Sequence, residues 1–181
     1  MSILICPGIH SPQLTESFLR GLGLQSSNIL VFPAEEYAAY AAPEILAFLE
    51  KNLGKPSKTL SSVLFISFSA GVVGAIAAAW GWQIQGGQVK ALLALDGWGV
   101  ALGGNFPVHR LSHDAFTHWS SALLGAGEDS FYSFPPVSHL DLWRSPHQTQ
   151  GWWLSHSGCG SRTSAAEFIL ILLKRYGEFV G

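Results

Sequence analysis

One serine in this chain of 181 residues stands where its hydroxyl could act as a nucleophile. The run Val63-Leu64-Phe65-Ile66-Ser67-Phe68-Ser69-Ala70-Gly71 is apolar and strand-like, ends in Ser-x-Ser-x-Gly, and passes at once into a stretch of small residues. A tight strand-to-helix turn holds its central residue in a strained backbone conformation and needs small residues two places before and two after it. Ser67 and Gly71 meet that need around Ser69. The helix that follows would turn its first N–H groups toward the hydroxyl, as acyl transfer requires. Leu64 to Ile84 is also free of charge and long enough to span a bilayer, but β-branching before Ser67 and the serines and glycines after it favour strand, turn and helix.

Other titratable groups gather later. His109, His113, Asp114 and His118 cluster in an otherwise sparsely charged chain. The spacing of four between His109 and His113 would put two imidazoles on one helical face, as a metal site wants, yet no third ligand or Cys pair accompanies them. No metal and no cofactor are expected. No Gly-x-x-x-x-Gly-Lys run follows a strand, and Gly97-Trp98-Gly99 lacks the third glycine of a dinucleotide loop. Cys6 and Cys159 have no companion motif for redox or thiol chemistry.

The Ser67-Phe68-Ser69-Ala70-Gly71 turn resembles the nucleophile elbow of serine hydrolases of the α/β-hydrolase fold. That resemblance implies an oxyanion hole made by the N–H of Ala70 and, from the loop Cys6-Pro7-Gly8-Ile9-His10, the N–H of Ile9, with His10 lining the site; Pro7-Gly8 as a plain turn is the competing reading. It implies a triad in chain order nucleophile, acid, base. His156, in the Gly/Ser loop before the last helix, fits the base, with His118 second and His113 and His147 as remaining candidates. No Asp or Glu lies between Leu142 and Ala166, so Asp96, which closes the strand after the elbow helix, is the expected acid, as in some lipases of this fold; Asp114, Asp129 or a Ser-His dyad are the alternatives. Trp98, Phe106, Phe116 and Trp119 suggest an apolar pocket. The implied activity is cleavage of an ester or thioester of a small apolar acyl group through an acyl-enzyme. The rivals are a catalytically silent member of the same fold that binds a protein or small apolar ligand, and a flavodoxin-like binding module.

Alternating patterns must position these residues. Strands are expected at Ile3 to Cys6, Ile29 to Phe32, Val63 to Ile66, Val89 to Leu95 and Leu140 to Trp143. Helices are expected from Pro12 to near Gly21, from Pro43 to Gly54, over Ala70 to Trp82, and after a Ser164/Glu167 capping box. This predicts an α/β fold: a doubly wound, mostly parallel sheet of about five strands in one domain, minimally hydrolase-like, with a lid over roughly 100–136. With 48% hydrophobic and 12% charged residues the chain can bury a real core, and disorder is excluded. A net charge of -2 with scattered Lys and Arg gives no field for nucleic acid. The sequence shows no leader or membrane span, so a cytoplasmic location is expected, with a small acyl compound as partner and no information on oligomeric state.

Overall fold

The computed structural model describes residues 2–56, 61–158 and 160–177, so Cys159 lies outside the described residues. The fold is α/β. Eight strands form one sheet in the order β2-β1-β3-β4-β5-β6-β7-β8, parallel from β2 through β6 and antiparallel for β7 and β8. In chain order the elements are β1 (Ser2–Cys6), α1 (Pro12–Gly21), β2 (Ile29–Val31), α2 (Ala42–Leu53), β3 (Ser62–Phe68), α3 (Ala70–Ile84), β4 (Gln88–Leu95), β5 (Val108–Ser112), α4 (Ala115–Ala122), β6 (Ser130–Ser133), α5 (His139–Arg144), β7 (Gln150–Leu154), β8 (Gly160–Ser164) and α6 (Ala165–Arg175).

The first half follows the sequence pattern closely because β1, β3 and β4 are near-continuous apolar runs, mostly buried on both faces, with the short β2 at the sheet edge. Two apolar clusters sandwich the sheet. One joins Phe18, Ile66, Phe68, Trp143 and Phe168; the other joins Phe65, Ile45, Val72 and Trp82. Ser164 caps α6 by accepting the Glu167 N–H at 3.1 Å, as its capping box predicts. The chain crosses from β2 over β1 to reach β3, so the sheet changes winding direction between β1 and β3. In such sheets a crevice opens there, outside the carboxyl ends of the strands.

The second half corrects four expectations. The described sheet has eight strands, not five, and the expected lid contains two of them: β5 and β6 continue the parallel order, with α4 between them. Leu140 to Trp143 is helix α5, not a strand. Ser138 caps it, accepting the Asp141 N–H at 3.2 Å, and the alternating Leu140, Leu142 and Trp143 that suggested a strand lie on a single helical turn and a half whose Leu142 and Trp143 are buried. The strands before α6 form a hairpin, β7 and β8, which the sequence reading leaves as loop. No helix among the described residues is long and apolar enough to cross a membrane.

Candidate functional site

Ser69 sits between the last residue of β3 and the first of α3 with φ 53° and ψ −124°. A left-handed φ in a non-glycine residue is costly and persists only where the surroundings fix it. They do so here. The Ser69 N–H donates to Leu95 O at 2.9 Å, and the Ser69 carbonyl accepts from Val72 N–H at 3.0 Å. Ser67 is fully buried and its hydroxyl donates to Leu93 O at 3.1 Å. A Cβ on Gly71 would run into the carbonyl oxygens of Cys6 and Pro7, so only glycine lets the elbow close on the loop after β1. Gly8 of that loop is equally close: a Cβ there would stand 3.0 Å from Ser69 Cβ. The Gly8 backbone therefore adjoins the serine, while Ile9, the next residue, is exposed and not among the walls of the cavity around Ser69, and Ala70, as the first residue of α3, carries one of the N–H groups that have no acceptor inside the helix.

Asp96 follows β4, next to β3 in the sheet. It too has a positive φ, 50°, anchored by its own N–H donating to Leu111 O at 2.8 Å. Its side chain is almost wholly buried and serves two histidines. Oδ1 accepts the backbone N–H of His113 at 2.9 Å; Oδ2 lies 2.9 Å from His113 Nδ1 and 2.8 Å from His139 Nδ1. Burial alone would raise the Asp96 pKa, but the hydrogen bonds from His113 and His139 and the charge on His113 outweigh it and hold the carboxyl below its usual value.

The two histidines differ at their other nitrogen. Nε2 of His113 lies 3.4 Å from Asp114 Oδ2, so this ring is bracketed by two carboxylates. Its pKa is raised, first by the hydrogen bond to Asp96, against the opposing effect of burial, and further by the charges of Asp96 and Asp114. His139 has no such second carboxylate among the described residues. Its ring stacks on Phe68, the residue before the serine, with centroids 4.6 Å apart and planes at 24°. Ser69, Ala70, Asp96, His113 and His139 share one open cavity of about 470 Å³ whose other walls are Val73, Trp98, Val100, Phe116 and Thr117. Asp96, His113 and His139 also offer three metal-ligand atoms within 4.8 Å of one another, the one such group among the described residues.

The residues singled out in the sequence separate into two sets. Ser69, Ala70, Asp96, Trp98 and His113 come together. His156 does not. It is exposed in the turn joining β7 to β8, and since β7 runs antiparallel to β6, that turn lies at the amino ends of the parallel strands, a full strand length from Ser69. His118 is buried in α4 beside Trp119 and Tyr132, outside the cavity walls, its pKa pushed down to about 4 by burial and by Arg110. His147 packs over Gly21 at the far end of α1. His10 contacts the edge of the site through Phe68, at 5.7 Å between rings, but lines a neighbouring cavity with Pro12, Phe32 and Pro33. Asp114 caps α4 by accepting the Thr117 N–H at 2.6 Å, and Asp129 is paired with Arg175 at the opposite end of the sheet. Phe106 is core.

His139 is the residue that sequence reasoning missed. The available signal was Ser138-His139-Leu140-Asp141, a capping pattern that marks a helix start; α5 begins on the loop that leaves the carboxyl end of β6, which puts His139 on the rim. No known family profile matches the chain, and comparison with curated proteins gives no significant match.

Proposed function

We propose that the chain is a serine hydrolase in which Ser69 is the nucleophile, His139 the general base and Asp96 the acid that orients it, on a scaffold resembling a minimal α/β hydrolase. The observation that carries this reading is the hydrogen bond of 2.8 Å from His139 Nδ1 to Asp96 Oδ2, on one cavity wall with a serine held at φ 53°. With its Nδ1 proton committed to Asp96, His139 keeps Nε2 free to accept the Ser69 proton. The chain order Ser69, Asp96, His139 is the order expected of such a triad.

The chemistry then runs as follows. Ser69 Oγ attacks the substrate carbonyl while His139 Nε2 takes the hydroxyl proton, and the Asp96 carboxylate stabilises the imidazolium. The N–H of Ala70, reinforced by the N-terminal dipole of α3, and the N–H of Ile9 receive the developing oxyanion. The C–O or C–S bond breaks, the leaving oxygen or sulfur takes the proton from His139, and an acyl ester remains on Ser69. Water, deprotonated by the same imidazole, hydrolyses it. Val73, Val100, Trp98 and Phe116 suit an apolar acyl group, and among the residues that line the wall there is no Arg or Lys for a charged one.

His113 is a positioning residue in this scheme. With Nδ1 turned to Asp96 and Nε2 to Asp114, it has no ring nitrogen left for the Ser69 proton, and it instead fixes both oxygens of Asp96. A second reading uses the same three side chains to hold a metal ion that activates water, favoured by their mutual proximity. The two separate in one experiment. Fluorophosphonate labelling of the wild type, read by intact mass and lost in Ser69→Ala, supports the serine mechanism; a folded wild type that resists labelling and whose ester turnover is abolished by a chelator supports the metal.

A further inference from the structure

Helix α3 has a solvent face without a single charged side chain. Its outward positions are Val73, Ala77, Trp80 and Ile84, spaced by three and four residues, and no Asp, Glu, Lys or Arg occurs anywhere from Ala70 to Ile84. An outer helix of a water-soluble fold ordinarily turns charge to that side. Helix α4 repeats the pattern with Phe116, Trp119 and Leu123, where Phe116 is 74% and Leu123 86% exposed. The segment between β4 and β5 joins the two helices: Trp80 Nε1 donates to Gly103 O at 2.8 Å, Trp98 Nε1 to Ser120 Oγ at 3.1 Å, and Leu102 N–H to Leu124 O at 2.9 Å. From Gly97 to Gly127 the only Arg or Lys is Arg110, which is buried with its guanidinium against backbone carbonyls, and the only acid is Asp114, turned to His113.

We propose that this continuous face of α3, the 97–103 segment and α4 docks on an uncharged lipid–water interface, and that the hydrolase site draws its acyl ester from that interface. The substrate half of the proposal rests on the serine-hydrolase reading above; the docking half does not. Val73, Trp98 and Phe116 belong both to the apolar face and to the cavity wall around Ser69. A protein partner or second copy seated on this face would stopper the site, whereas a lipid surface would supply it. Exposed Trp among aliphatic side chains is the composition that settles at the headgroup level, and the lack of Lys and Arg means that attraction comes from apolar burial, not from anionic lipid.

The test is flotation of the protein with dioleoylphosphatidylcholine vesicles, compared with vesicles enriched in phosphatidylserine. The wild type should float with both and gain nothing from phosphatidylserine. Ile84→Glu/Leu123→Glu changes two exposed residues outside the cavity wall and should lower partitioning at least about tenfold. The same double variant should keep wild-type turnover of soluble p-nitrophenyl butyrate and lose turnover of emulsified triolein in proportion to its partitioning. Ser69→Ala should float as the wild type does and hydrolyse neither ester; a folded wild type that floats but hydrolyses neither ester would retire the hydrolase reading and the substrate claim while leaving the docking surface standing. A folded wild type that does not float overturns the docking claim whatever its activity. So does a wild-type dimer that the double variant dissolves and vesicles do not, which would assign the face to a second copy.

Discussion

Two histidine–carboxylate clusters stand at opposite ends of the same sheet, and they are built for opposite purposes. At the amino ends of β5 and β6, Asp129 is paired with Arg175 and accepts the Trp153 indole N–H at 3.1 Å, while His109, fully buried, uses both nitrogens: Nδ1 accepts the Asp129 backbone N–H at 3.2 Å and Nε2 lies 2.7 Å from the Tyr176 hydroxyl. At the carboxyl ends, Asp96 has no Arg or Lys partner among the described residues, is served by two imidazoles and the His113 backbone N–H, and opens on a cavity. In the first cluster both oxygens of Asp129 and both ring nitrogens of His109 have partners, and these tie β5, β6, β7 and the end of α6 together. The second leaves Nε2 of His139 without a hydrogen-bond partner among the described residues, in the cavity that the strained serine also lines. A buried Asp near a His is common to both; what distinguishes a candidate catalytic centre is the unspent valence and the access to it.

The sharpest way to break this contrast is to neutralise each carboxylate. Asp96→Asn should cut ester turnover by about 10³–10⁴-fold with the fold intact, and His139→Ala should lose a comparable factor, measured as kcat with a soluble ester. His113→Gln removes a charge-assisted hydrogen bond of about 1.5–3 kcal/mol from Asp96, so kcat should fall roughly ten- to a hundredfold, with little change in KM. If His113→Gln proved as damaging as His139→Ala, the roles of the two rings would have to be exchanged. Asp129→Asn should leave kcat within a fewfold and instead cost about 1–3 kcal/mol in denaturant unfolding, because Arg175 and the Trp153 N–H lose their acceptor.

The locked cluster also sharpens the comparison through pH. Burial pushes the pKa of His109 and of His118 from 6.5 down to about 4, so the folded state resists protons that the unfolded chain takes up. Stability is therefore full above about pH 6.5 and is lost as pH falls toward 4, by up to about 3 kcal/mol for each ring. Thermal unfolding of His118→Phe should show a shallower acid slope than the wild type. His113, raised by its carboxylates, has the opposite sign: its contribution is complete at low pH and fades as pH rises through its folded pKa. Smallest of all, His156→Ala should change neither turnover nor stability measurably.

Legibility in the sequence follows the same division. The elbow, β1 to β4 and the first three helices are written in local terms: apolar runs, Pro at helix starts, Gly54 at a helix stop. Strand β5 is not, because Val108-His109-Arg110-Leu111-Ser112 is buried at every position although three of its five residues are polar. Those polar groups are paid for by partners 10 to 67 residues away, such as Val100, Asp129 and Tyr176, and no short-range pattern announces them. Ser69 and Asp96 were readable since each ends a strand in a turn signal. His139 was hidden by α5, whose six residues are too few for a helical period to outweigh a chance alternation.

Arg110 has one more consequence. Its guanidinium reaches the carbonyls of Val100, Leu124 and Gly125, fastening the stretch before β5 and the stretch after α4 to the strand between them like a rivet through three plates. Swinging either stretch outward would strand a buried cation and its carbonyl acceptors together, a cost far above thermal energy. The wall that carries Trp98 and Phe116 is thus a fixed casting and not a hinged door, and whatever molecule the crevice admits is chosen by a shape already cut before it arrives.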